Sequence, residues 1–280
     1  MVQNTLAKQD TKNFKFSVAI KSDAYKNMIN STLGDPNRAQ RFIASISSAV
    51  GTNLALQECE AGSIVSGALV GEALNLSPSP QLGQYYLVPF NNSERGCKVA
   101  QFQIGYKGYI QLAIRSGQYK RLNVLDIKEG ELRNFDPLNE VIDCLIIDDE
   151  EARENAKTVG YYAMFELNNG FRKAMYWSKA KMESHALKYS KGYKAKKGYT
   201  FWEKDFDGMA FKTMLRQLIS KWGVMSVDMQ NAIESDMAVL GDDGKKEYVD
   251  NTDFTDAPEA QEQPDPEQSA PQPQESDPLA

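Results

Sequence analysis

Apolar residues recur along this chain with two periods, and the switch from one to the other divides it. In residues 36–50, Phe42, Ile43 and Ile46 fall on one side behind a proline suited to a first helical turn. Residues 63–76 repeat small and aliphatic side chains at the same spacing. Two packed helices are predicted there. Between Tyr85 and Leu145 the period shortens. YYLVPF, the turn NNSERG and CKVAQFQIG form a predicted hairpin, and RLNVLDI and VIDCLII read as further strands. TVGYYAMFEL and FRKAMYW, separated by Asn168, Asn169 and Gly170, make the clearest hairpin, because Asn-Gly accepts the positive φ of a tight connection. Helical spacing returns over 178–189 and 204–222. The fold class predicted is α+β: a helical N-terminal lobe, then a central antiparallel-rich sheet whose hairpins pack on a long helix.

The two ends lack either pattern. Residues 1–35 are polar and predict a flexible arm with one short helix over 23–32. Residues 241–280 are nearly devoid of apolar side chains and rich in Pro, Gln and Glu. Such a segment cannot bury enough surface to offset its ordering entropy, so a disordered acidic tail is predicted. Residues 36–240 remain as the folded core.

Charge follows the same boundaries. The 280 residues carry 32 Lys and Arg against 38 Asp and Glu, net −6. Residues 234–280 hold 14 acids and 2 bases, net −12, which leaves the rest at net +6. An acidic mean conceals a basic body. No run approaches the ~18 apolar residues of a membrane helix, and MVQNTLAKQDTKNFKF lacks the apolar centre of a secretory signal. Cys59, Cys97 and Cys144 form no CxxC, and the single His185 has no neighbour at ligand spacing. Neither a zinc site nor a disulfide framework is expected, and unpaired thiols point to a reducing cytoplasm.

Catalytic motifs are missing: GxxxxGK[ST], GxSxG and HExxH do not occur. The acids at 148–151 follow a strand and read as a solvated turn. A two-metal nuclease would need Asp126, Glu129 and Asp143 to converge beside a lysine, and their spacing does not recommend it. The basic residues are more informative. Residues 179–221 contain 11 Lys or Arg and 4 acids, interleaved with Tyr189, Tyr193, Tyr199, Phe201, Trp202, Phe206, Phe211 and Trp222. Cations that follow phosphates and flat rings that stack on bases suit single-stranded nucleic acid. A lysine-rich solvated loop beside core aromatics fits the composition equally.

Helical projection sorts the candidates. In DFDGMAFKTMLRQLISKWG, residues Phe211, Met214, Leu215, Leu218, Ile219 and Trp222 form a core stripe. Lys212 and Arg216 stand just outside it, with Asp205 between them in projection. That edge suits either a phosphate or a surface ion pair. In QIGYKGYIQLAIRSGQYKRL, Lys107, Gln111, Arg115 and Gln118 share one face, and Tyr106, Tyr109, Ile110 and Ala113 the other. The helix start at Gly105–Gly108 offers N–H groups to a phosphate, or else its glycines serve close packing.

These two blocks, QFQIGYKGYIQLAIRSGQYK and FWEKDFDGMAFKTMLRQLISKWG followed by VMSVDMQNAI, resemble the RecT family of phage and prophage single-strand annealing proteins. The likeness runs from about residue 37 to 236 and includes AGSIVSGALVGEALNLSPSPQLGQYYLVPF and GFRKAMYWSKAKMESHALKYS. The resemblance implies a non-enzymatic, cofactor-free protein of the bacterial host cytoplasm. Such a protein coats single-stranded DNA and anneals it to its complement without ATP, assembling as rings or filaments in homologous recombination beside a partner exonuclease. It also implies a positively charged groove. The matching positions are Tyr106, Lys107 and Arg115 in the first block, and Trp202, Lys204, Lys212 and Arg216 in the second. The acidic tail is a candidate dock for the exonuclease or the host single-strand binding protein. From another class, a general single-stranded DNA or RNA chaperone would share the groove chemistry without the annealing assembly.

Overall fold

A computed structural model describes residues 16–92, 96–198, 200–241 and 245–247. The predicted acidic tail, apart from its first few residues, and Tyr199 lie outside these. Helices come first: α1 (Phe16–Ala19), α2 (Asp23–Leu33), α3 (Pro36–Gly51), a 3-10 turn (Leu56–Glu58) and α4 (Ala61–Ala73). The α2–α3 corner is local chemistry. Gly34 takes φ +68° and donates its N–H to Asn30 O, then Asp35 caps α3 by accepting from Asn37 N at 2.8 Å, with Pro36 in the first turn. Where the sequence predicts a mobile arm, Phe16, Ile20 and Ile29 are buried in the main core. Only the short helix over 23–32 was legible, because three anchoring side chains spread over fourteen polar-rich residues leave little periodic signal.

The remaining elements are β1 (Tyr85–Asn92), β2 (Cys97–Ile104), α5 (Tyr106–Ser116), β3 (Tyr119–Lys128), β4 (Leu132–Asp136), β5 (Val141–Cys144), α6 (Glu150–Asn155), β6 (Thr158–Leu167), β7 (Arg172–Ser178), α7 (Lys179–Tyr189), α8 (Lys191–Lys194), α9 (Phe201–Lys204), α10 (Phe206–Trp222), α11 (Val227–Ser235), β8 (Ala238–Leu240) and β9 (Lys246–Glu247). All ladders are antiparallel, as predicted, but they form three sheets in place of one: β1-β2-β8-β9, β3-β6-β7 and the hairpin β4-β5. The β6–β7 hairpin closes where Asn-Gly predicts, with Gly170 at φ +87° and Leu167 N bonded to Phe171 O. The acids at 148–151 stay exposed. They begin a helix, α6, because Asp149 accepts from Ala152 N at 3.0 Å and caps it.

Helix α10 joins the two larger sheets. Leu215 and Ile219 enter one core with Phe102, Tyr109 and Ile46. Ala210, Met214 and Leu218 enter another with Tyr161, Phe165 and Met182. A helix apolar on two sides buries more than one stripe, and α10 accordingly leaves its charged residues little free surface. Trp222, predicted within the stripe, is the last residue of α10 and is 51% exposed, its ring under Lys173 Nζ at 3.9 Å.

Candidate nucleic-acid interface

Asp205, at the start of α10, caps it through Gly208 N at 2.9 Å and does not reach the cations predicted beside it. Asp236, at the end of α11, takes that place. Its carboxylate, wholly buried, accepts from Lys212 Nζ at 2.8 Å and Arg216 NH1 at 3.0 Å, and also from Ile104 N at 3.0 Å and Tyr109 OH at 3.3 Å. One carboxylate thus fastens α10, α5 and β2 together. Lys212 is only 5% exposed. Burial pushes its pKa below the usual lysine value, opposed by Asp236. The phosphate edge predicted at Lys212 and Arg216 is therefore an internal ion-pair node. Only Arg216 borders solvent, in a cleft it shares with His185, Tyr189, Trp202, Lys212 and Asp236. Trp202 is 6% exposed and packs edge-on against Phe206 at 5.1 Å, so its faces are occupied by protein. Three predicted site residues converge here, two of them on structural duty. Asp236 escaped sequence reasoning because no pattern marks a lone acid between a helix and a three-residue strand.

The first helix resolves differently. Gly105 N donates to Gln84 O at 2.9 Å, and a Cβ on Gly108 would come within 2.2 Å of the same carbonyl. These glycines admit the backbone of Gly83 and Gln84, which closes much of the helix start to a phosphate. Their packing role is the one the structure displays. Tyr109 and Ala113 are buried as the projection predicts. Tyr106 is half-buried against Phe211, and Lys107 is exposed with its Nζ 5.9 Å from the Tyr106 ring. Arg115 is exposed, yet its guanidinium donates to Leu74 O at 2.6 Å and Asn75 O at 3.2 Å, sealing the end of α4.

Tyr86 brings the two blocks together. Its ring lies 5.4 Å from Phe201 of α9. Burial raises its hydroxyl pKa, and the charge of Asp205 and the neighbouring Tyr106 add to the rise. Tyr86 thus touches the start of α9 and lies near the start of α5, the helices that carry Lys204 and Lys107 respectively. Both lysines are exposed, and neither makes an ion pair among the described residues. The lysine-rich stretch continues beside them. Lys181 lies over Trp177 at 4.5 Å, Lys179 over Phe206 at 4.9 Å and Lys188 over Tyr189 at 5.1 Å, while Lys191, Lys194, Lys196 and Lys197 are exposed. Tyr86 and Phe201 do not stand out in sequence because their value lies in meeting across 115 residues.

The acids weighed for metal binding are otherwise engaged. Asp126 pairs with Lys128 at 2.8 Å and Arg153 at 3.5 Å, and Glu129 and Asp143 are exposed. Among the described residues no three His, Cys, Asp or Glu are grouped to hold a metal ion, and no helix is long and apolar enough to cross a membrane.

Unpaired lysines along a rim of tyrosine, phenylalanine and tryptophan, on a rigid α+β body, are the equipment of a protein that handles single-stranded nucleic acid. The chain belongs to the RecT family, whose model matches residues 40–255, and it is thereby a DNA single-strand annealing protein. It is 43% identical over 222 residues to the uncharacterized protein YqaK of Bacillus subtilis (strain 168), covering 79% of this chain and 70% of that one. It is 29% identical over 236 residues to protein RecT of Escherichia coli (strain K12), covering 84% of each.

Proposed function

We propose that this chain binds single-stranded DNA along the Lys107–Lys204 rim and anneals it to a complementary strand without ATP, metal catalysis or bond cleavage. The observation that carries the reading is the contact of Tyr86 with Phe201 and of Tyr106 with Phe211, beside helices α9 and α5, each of which carries an exposed lysine, Lys204 and Lys107, with no ion pair among the described residues. Ammonium groups would neutralise phosphates while ring edges guide bases. No base-specific geometry is needed for complementarity to be tested strand against strand. The α7–α8 lysines extend the positive field along the same side. Residues 36–240 form the working core, assembling in several copies along DNA, with the acidic tail left to dock a partner exonuclease or the host single-strand binding protein.

Fluorescence anisotropy with a labelled oligonucleotide and its pre-formed duplex tests this. Single strands should bind far better than duplex, with log affinity falling against log salt at about 0.7 per phosphate neutralised. Affinity unchanged between low and physiological salt would refute a cationic binding rim.

A further inference from the structure

A second groove lies on the other side of the Gly83–Gln84 segment. It is bounded by α3, by the end of α4 and by the approach to β1, lies open to solvent and has a volume of about 710 Å³, more than a single bound anion requires. Its charged lining is Arg38 and Arg41 from α3 and Glu72 from α4. Glu72 is matched by Arg38, whose Nε donates to it at 2.7 Å. Arg41, one turn further along α3, is exposed and makes no ion pair among the described residues. Arg115, outside this lining, donates to the carbonyls of Leu74 and Asn75 beside it. Two cations against one carboxylate leave the groove positive. The rest of its polar lining, Ser45, Asn75, Ser77 and Gln84, offers hydrogen-bonding groups, and Phe42, its one aromatic residue, is buried. That chemistry takes phosphates and offers no stacking platform for bases.

The groove adjoins the start of α5 through Gln84. Gln84 lines it with a side chain fixed by Ser77 N at 2.7 Å, while the backbone of Gly83 and Gln84 receives the start of α5 and the methylenes of Lys107. Lys107 and Arg115 stand eight residues apart on the exposed face of α5, about 12 Å along the helix at 1.5 Å per residue. We propose that the groove is an extension of the DNA track, in which Arg41, supported by Arg38, takes backbone phosphates of the strand held at the Lys107–Lys204 rim. The proposal rests on the single-strand reading above and adds a sequence-independent contact about one helix length from it.

Arg41→Glu tests the groove without touching the core, since Arg41 is exposed and makes no ion pair among the described residues. Its affinity for a labelled oligothymidine should fall roughly three- to tenfold at low salt, and its salt slope should drop by about 0.7. Arg41→Lys should recover most of both, and neither variant should shift the melting temperature. An Arg41→Glu protein that binds with wild-type affinity and slope would overturn the groove and leave the rim intact. A wild-type protein that fails to bind the oligonucleotide would overturn the single-strand reading itself, and the groove with it.

Discussion

Lys212 and Lys204 stand eight residues apart in one sequence block, and their surroundings assign them opposite work. Lys204 is exposed and unpaired, whereas Lys212 is enclosed with Asp236, Arg216 and Tyr109. Removing one member of a buried ion pair strands the other without solvent, at about 3 to 5 kcal/mol. Asp236→Ala should lose that much in urea unfolding, and Lys212→Ala should fall near the lower end, because Arg216, Tyr109 and Ile104 N still serve the carboxylate. Lys204→Ala should leave the unfolding midpoint unchanged. A stable Lys212→Ala protein would return this residue to the surface role that helical projection suggested. Projection placed Lys212 correctly at the edge of the apolar arc. It could not foresee that a later segment would cover that edge, because the covering residue is a single aspartate at a chain turn.

Whole elements were more legible than their neighbours. The β6 and β7 strands, α3, α5 and α10 announce themselves by period and by their turn or cap residues. The short β4, α6 and β8 do not, since three to six residues carry too little pattern to beat a loop reading. The least legible of these units is held by charge. Glu131, buried after β3, accepts from Arg153 Nε of α6 at 2.7 Å and from Lys128 N at 2.7 Å, while Asp126 binds Lys128 and Arg153. Burial raises both carboxyl pKa values, but these cations and N–H donors outweigh it and hold both below the usual carboxylate range. A carboxylate with a depressed folded pKa contributes stability above its unfolded value, about 4, and loses it as pH falls through the folded value. Wild-type stability should therefore decline on acidification below about pH 5. Arg153→Ala should cost about 3 kcal/mol at neutral pH. It should also flatten the acid limb, because the folded carboxyl pKa values move back toward the unfolded ones. Urea melts of both proteins from pH 7 to pH 3 check this; parallel curves would show that Arg153 does not set those pKa values.

At the scale of the molecule, a net charge of −6 hides a basic body followed by a last 33 residues that hold nine acids and no base. The antiparallel ladders and α10 set the relative positions of α5, α9 and α3. From that placement come both the rim and the groove, neither of which is contiguous in sequence. The residues of the two family-like blocks divide between those that build the body and those left facing solvent. We propose that the solvent-facing pair, Lys107 and Lys204, carries strand annealing. The most direct measurement is the annealing rate of complementary labelled oligonucleotides with neither nucleotide nor magnesium, for wild type and for Lys107→Ala/Lys204→Ala. Wild type should accelerate annealing well above the protein-free rate, and the double variant should lose most of that acceleration while keeping its melting temperature. A fully folded double variant that anneals at the wild-type rate would contradict the account.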